Sequence, residues 1–102
     1  MSAAPWFLGG SPVLAYTRLD ARQRPTGHTR HLANGTLLGP AAGLAICRLA
    51  DGGFYLFGCD AEWNTITDTW HETLDDALHQ AEFEYEGVGS TWEWPEGKPD
   101  GG

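Results

Sequence analysis

The sequence predicts an α+β domain: an antiparallel sheet of about four to six strands with one amphipathic helix, about Thr73–Glu86, packed on one face. In this reading the strands precede the helix. Three observations lead there. Fourteen glycines and six prolines among 102 residues demand many turns, which suits short strands better than a helical bundle. Gly43–Cys59, GLAICRLADGGFYLFGC, has two apolar runs flanking an Asp-Gly turn signal. From Thr73 to Gly87 the apolar period switches to that of a helix, with a capping residue before it and a glycine after it.

Each element follows from its local chemistry. Pro12–Leu19 alternates, placing Val13, Ala15, Thr17 and Leu19 on one face of a first strand. Asp20–Gly27 is a polar, arginine-bearing loop. His28–Ala33 reads as a second strand closing at Asn34-Gly35, a strong hairpin turn pair. Thr36–Leu38 is a short third strand and Gly39–Gly43 a connector. In the Gly43–Cys59 hairpin, a two-residue turn at Asp51-Gly52 pairs Ala50 with Gly53, Cys47 with Leu56 and Leu44 with Cys59. One face then carries Leu44, Ile46, Arg48, Tyr55, Phe57 and Cys59. The other carries Ala45, Cys47, Leu49, Phe54, Leu56 and Gly58. Both are largely apolar, so this hairpin belongs mid-sheet with cover on both sides. The two cysteines point to opposite faces in this register, which speaks against a disulfide.

After a turn at Asp60–Glu62, Trp63–Trp70 is an alternating, Thr-rich strand. Thr73 then caps the helix, with Asp76 in the place of a capping box's acid. Leu74, Ala77, Leu78, Ala81 and Tyr85 form its apolar stripe, and Gly87 is the expected stop. Trp92 and Trp94 lie in a short edge strand ended by Pro95. One helix cannot cover two apolar faces. The second cover is either the folded-back N-terminal segment with Trp6 and Phe7 or a second molecule, which makes a homodimer possible.

The chain reads as a single domain over residues 1–95 with a flexible Pro/Gly-rich tail over 96–102, Gly101-Gly102 included. Hydrophobic content of 41% and charged content of 20% exclude wholesale disorder. MSAAPWFLGG has neither the basic leader nor the apolar core of a signal peptide, and no apolar run approaches the roughly 18 residues that span a membrane. A cytoplasmic location without membrane contact is the expectation. Cys47 and Cys59, with no CxxC spacing, fit free thiols in a reducing compartment.

Charge is unevenly divided. Residues 1–59 hold five arginines against Asp20 and Asp51, a net of +3. Residues 60–102 hold twelve carboxylates against Lys98, a net of −11, so that the whole chain carries −8. Such a split disfavours nucleic acid as a partner and suits either internal pairing of the two halves or a cationic partner for the acidic one.

The outer side of the helix breaks the core pattern: Asp76, His79, Phe83 and Glu86 recur along it at helical spacing. Phe83 is either covered by the Trp92/Trp94 tail, the plainer reading, or an interaction hot spot. Glu82, Glu84 and Glu86 crowd the helix C-terminus, where the macrodipole disfavours negative charge. They pair with the Arg18–Arg30 loop, stay solvated, or dock a basic protein. Among the histidines, His28 and His31 fall on opposite strand faces, His71 sits at the strand–helix junction, and Asp75 with His79 is spaced i, i+4. No CxxC, HExxH or nucleophile motif is present, so no metal, cofactor or catalytic residue is expected.

The segments GPAAGLAI, CD-x-x-WN, TDTWHETLDDA and QAEFEYEGV resemble those of a group of short uncharacterised bacterial proteins, over about Gly39–Trp94. The resemblance implies bacterial origin and a compact α+β domain. A weaker likeness is to HicB-type antitoxins, in which GFY strands lead through a further strand into a T-L-x-x-A-L-x-x-A helix, here Thr73–Ala81. The chain lacks that family's Pro-x-Leu-Pro-Gly-Cys turn, and no DNA-binding appendage follows the helix.

The expected function is a non-catalytic protein-binding module, immunity- or antitoxin-like, in which Asp76, His79, Phe83, Glu82, Glu84 and Glu86 dock a basic partner. The alternatives are a small metal-dependent hydrolase using Asp60, Glu62, Asp68, His71 and His79, and a structural homodimer.

Overall fold

The computed structural model describes residues 3–27, 32–33, 36–37 and 41–97. Its elements are β1 (Phe7–Leu8), β2 (Ser11–Arg18), β3 (Arg24–Pro25), β4 (Leu32–Ala33), β5 (Thr36–Leu37), β6 (Gly43–Arg48), β7 (Phe54–Cys59), β8 (Thr65–His71), α1 (Leu74–Glu84) and β9 (Tyr85–Glu86), followed by a 3-10 turn, Val88–Ser90. Five strands form one antiparallel sheet in the order β1-β2-β6-β7-β8, and α1 packs across it. The fold is therefore α+β, with the sheet strands preceding the helix. β4 pairs with β5 through Leu32 with Leu37 and Ala33 with Thr36. The expected strand start at His28–His31, the Asn34-Gly35 turn, the Gly39-Pro40 part of the connector and the Lys98–Gly102 tail lie outside the described residues.

The β6–β7 hairpin sits mid-sheet, as its two apolar faces require, but its register is one residue from the expected one. Ile46 faces Leu56, Cys47 faces Tyr55 and Gly43 faces Cys59. The turn has three residues, not two. Leu49 C=O accepts from Gly52 N–H at 3.1 Å and Leu49 N–H donates to Gly53 O at 2.8 Å, with Gly52 at φ 99°. That geometry is a type I turn closed by a left-handed glycine. A slip of one residue exchanges the faces of one strand against the other. Leu44, Ile46 and Leu56 therefore share the helix side with Leu74, Ala77, Ala81, Tyr85 and Val88, while Ala45, Cys47, Phe57 and Cys59 share the opposite side. The cysteines thus share a face, four positions apart on the ladder, and both are buried free thiols.

β2 also departs from simple alternation. Val13 faces Cys47 but Ala15 faces Ile46, so a bulge at Leu14 moves Ala15 and Thr17 to the helix side while Val13 stays on the other. The second face is covered from within the chain. Ala4 and Leu8 pack against its buried cluster, and Gly9, in the β1–β2 turn, arches over Phe57. Trp6 and Phe7, expected as that cover, are instead 68% and 63% exposed.

Trp63 completes that cover and is not in a strand. Asp60 N–H donates to Asn64 O, Asp60 Oδ1 accepts the amides of Glu62 and Asn64 at 2.9 Å, and Asn64 Nδ2 donates to Asp60 Oδ2 at 3.0 Å. This closed loop holds Trp63 at φ 65°, 3% exposed and edge-on to Tyr16 with ring centroids 5.8 Å apart. The CD-x-x-WN motif is thus a structural loop, and β8 begins only at Thr65.

Thr73 caps α1 as expected, its Oγ1 accepting from Asp76 N–H at 3.1 Å. The apolar stripe is buried: Leu74, Ala77, Ala81 and Tyr85 are at most 8% exposed, and Leu78 packs beside them. The helix ends two residues early. Tyr85 and Glu86 leave it to pair with Pro25 and Arg24, and Thr26 donates its N–H to Glu84 O at 2.9 Å and its hydroxyl to Phe83 O. The arginine loop therefore caps the last carbonyls of α1 through its backbone and Thr26. Beyond the 3-10 turn, Glu93 makes a one-residue bridge to Tyr16 where a short strand was expected, while Trp92 and Trp94 pack into the helix-side cluster.

Candidate docking groove

The end of β8 and the outer face of α1 enclose an open groove of about 620 Å³ lined by Trp70, His71, Glu72, Asp76, His79, Gln80 and Phe83. Local sequence explains how they meet. His71-Glu72 carries the chain from strand to helix, Thr73 fixes the first turn, and Asp76, His79, Gln80 and Phe83 then recur on one side of α1. Trp70 faces Tyr55 across the ladder, and its indole lies over Gly53: a Cβ there would fall 2.8 Å from Trp70 Cε2. Only glycine leaves room for the ring in that position. Trp70 is nevertheless 54% exposed and Phe83 48% exposed.

The groove mixes aromatic surface with negative charge. Glu72 and Asp76 contribute exposed carboxylates, and His79 is exposed beside them. His71 is half-buried, its Nε2 2.8 Å from Thr69 Oγ1. Burial pushes its imidazole below the ordinary value, while the Asp76 and Glu84 carboxylates pull the other way. Gln80 donates through Nε2 to Glu84 Oε2 at 2.8 Å. Such a lining suits an arginine or lysine side chain, which pairs with carboxylates and stacks on a phenyl face.

Of the six residues expected to dock a partner, the structure brings Asp76, His79 and Phe83 into this groove. Glu82 instead turns its carboxylate onto the amides of Gly87 and Gly89, Glu84 is 8% exposed, and Glu86 lies in β9 opposite Arg24. The Trp92/Trp94 tail packs on the helix-side core cluster, and Phe83 is 48% exposed. Sequence reasoning missed Trp70, Glu72 and Gln80 as partners of that trio. A helical wheel cannot report a strand end that the turn at Glu72-Thr73 folds against it.

The set weighed as a hydrolase does not assemble. Asp60 is committed to its own loop, its carboxyl held below the usual range by hydrogen bonds from Asn64. Asp68 faces Phe57 and lines a separate shallow cavity of about 220 Å³ with Thr65, Ile66 and Thr67, on the sheet side opposite His71. Among the described residues no three His, Cys, Asp or Glu side chains gather to hold a metal ion. Burial pushes both cysteine thiols up to about 12, Cys59 also feeling Cys47 and Asp60, which leaves them protonated and weakly nucleophilic. Among the described residues no helix is long and apolar enough to cross a membrane. No protein-family model, curated protein or solved structure matches the chain.

Proposed function

We propose that this protein is a non-catalytic protein-binding module, immunity- or antitoxin-like, that docks a basic partner in the β8–α1 groove. One observation carries this reading: Phe83, 48% exposed, shares a single groove with the carboxylates of Glu72 and Asp76, on the half of the chain that carries −11. Half-exposed aromatics beside acidic groups are the composition of an interface centre and its steering rim. Association is fast at low salt and weakens as salt rises.

The test compares immobilised wild-type protein with a Phe83→Ser/Asp76→Asn variant. A basic protein retained by the wild type at low salt, eluted by high salt and lost from the variant supports the reading. Equal retention by both removes the groove from it. A second reading, a homodimer, draws on the exposed Trp6 and Phe7 at the β1 edge. Sedimentation velocity across a wide concentration range decides it.

A further inference from the structure

β8 is an edge strand: β7 pairs along one side of it, and among the described residues nothing pairs along the other. It runs seven residues, TITDTWH, and every second one turns its N–H and C=O away from the sheet. Natural edges of this length are blunted by proline, lysine, an inward-pointing charge or a bulge. Thr65–His71 contains no proline, lysine or arginine, a bulge at Ile66 is confined to its first residues, and Asp68 is its one carboxylate, so that Thr67–His71 pairs in regular register with helix-side positions Thr67, Thr69 and His71. The opposite sheet edge, β1, is two residues long and leads directly into the Gly9-Gly10 turn. The longer edge is therefore the one beside the groove, guarded over Thr67–His71 by the single charge of Asp68.

Resting on the docking function proposed above, we infer that the partner binds as an added β-strand: an extended basic segment pairs main chain to main chain with the outer edge of β8 and sends a cationic side chain into the groove beside Glu72 and Asp76. Backbone pairing supplies affinity in this mode, and alternate side chains supply specificity. Charge selects the occupant. Asp68 stands at the midpoint of β8 and is exposed. Two copies pairing antiparallel about that midpoint would set Asp68 against Asp68, a destabilising like-charge pair. A strand with lysine or arginine at the matching position turns the same repulsion into attraction. Thr65, Thr67 and Thr69 favour cross-strand contact with β-branched neighbours. The segment the site fits thus alternates lysine or arginine with valine, isoleucine or threonine.

The probe is a synthetic eight-residue peptide alternating arginine and valine, titrated into the full chain and followed by amide NMR and hydrogen exchange. Two further peptides carry N-methyl groups on alternate residues, one on each edge. Pairing with β8 predicts that one methylated form loses about tenfold or more in affinity while the other binds like the parent, since only one edge donates. It also predicts slowed exchange at alternate β8 amides. Equal binding by both methylated forms, with binding still abolished by Asp76→Asn, would overturn strand addition and leave the docking groove standing. Binding that ignores Asp76→Asn and salt, or no peptide binding, would overturn both. β8 protection that grows with protein concentration in the absence of peptide would put a second copy on the edge and overturn the proposal.

Discussion

The carboxylate of Glu82 accepts the Gly89 amide at 3.0 Å, and its other oxygen accepts the Gly87 amide at 3.2 Å. A glutamate near a helix C-terminus opposes the macrodipole. Here it reaches past the helix end to N–H groups that the left-handed residue Gly87 and the following 3-10 turn would otherwise leave to solvent. One of the three glutamates that break the dipole rule thus has a local structural task. Replacing Glu82 by Ala is expected to destabilise by about 1–2 kcal/mol, and by Gln, which keeps one acceptor, by less. Urea midpoints measure it, and equal midpoints for wild type and Glu82→Ala would refute this role.

Gly87 itself is fixed by conformation and by space. It has φ 93°, and a Cβ there would lie 2.8 Å from the Arg22 backbone oxygen. A backbone atom cannot rotate out of the way as a side chain can. Gly87→Ala is expected to cost about 2–3 kcal/mol. The loss should appear in the equilibrium midpoint with the urea m-value unchanged. A substitution that leaves the midpoint in place would mean that the Arg22 segment yields freely.

A buried polar knot ties β2 to the C-terminal segment. Gln23 Nε2 donates to Thr91 Oγ1 at 2.8 Å and to Arg18 O at 3.1 Å, and Thr17 and Thr91 hydroxyls lie 2.8 Å apart, with all three residues at most 9% exposed. Thr91→Val keeps the volume but strips Gln23 and Thr17 of a shared partner. The expected cost is about 1–3 kcal/mol, because a buried donor is left unmade. A thermal scan reads it, and an unchanged melting temperature would show that water takes the vacated position.

His71 gives the fold a pH dependence. Burial lowers its pKa below 6.5 against the pull of Asp76 and Glu84, so the unfolded chain holds the proton more tightly. Unfolding takes up a proton in the window between the two values. The contribution is complete above 6.5 and is lost as pH falls through the folded value. Melting temperature is expected to drop as pH falls below 6.5, and His71→Gln to flatten that limb. A separate acid limb below 3.8 belongs to Asp20 and Asp60, held low by hydrogen bonds from Arg22 and Asn64. A His71→Gln profile identical to wild type just below pH 6.5 would exclude His71 from the linkage.

Local chemistry was legible in the sequence by itself. Thr73 capping α1, the buried Leu74, Ala77, Ala81 and Tyr85 stripe, the mid-sheet place of Gly43–Cys59 and the charge division all follow from neighbours a few residues apart. Tertiary structure decided what depends on distant atoms. The three-residue turn at Ala50–Gly52 outweighed the two-residue one because Gly52 takes a left-handed φ and Asp51, which a two-residue turn would need there as well, does not, and that one extra residue reassigned the faces of the hairpin. The helix ended at Glu84 because Thr26, 58 residues away, takes its terminal carbonyls. Trp63 left its expected strand for the Asp60–Asn64 loop, where burial against Tyr16 offsets a strained backbone. The groove exists only because the chain turns at Glu72-Thr73, bringing the end of β8 beside Asp76, His79 and Phe83 of the helix. Periodicity speaks for one element at a time, and this site is made of two.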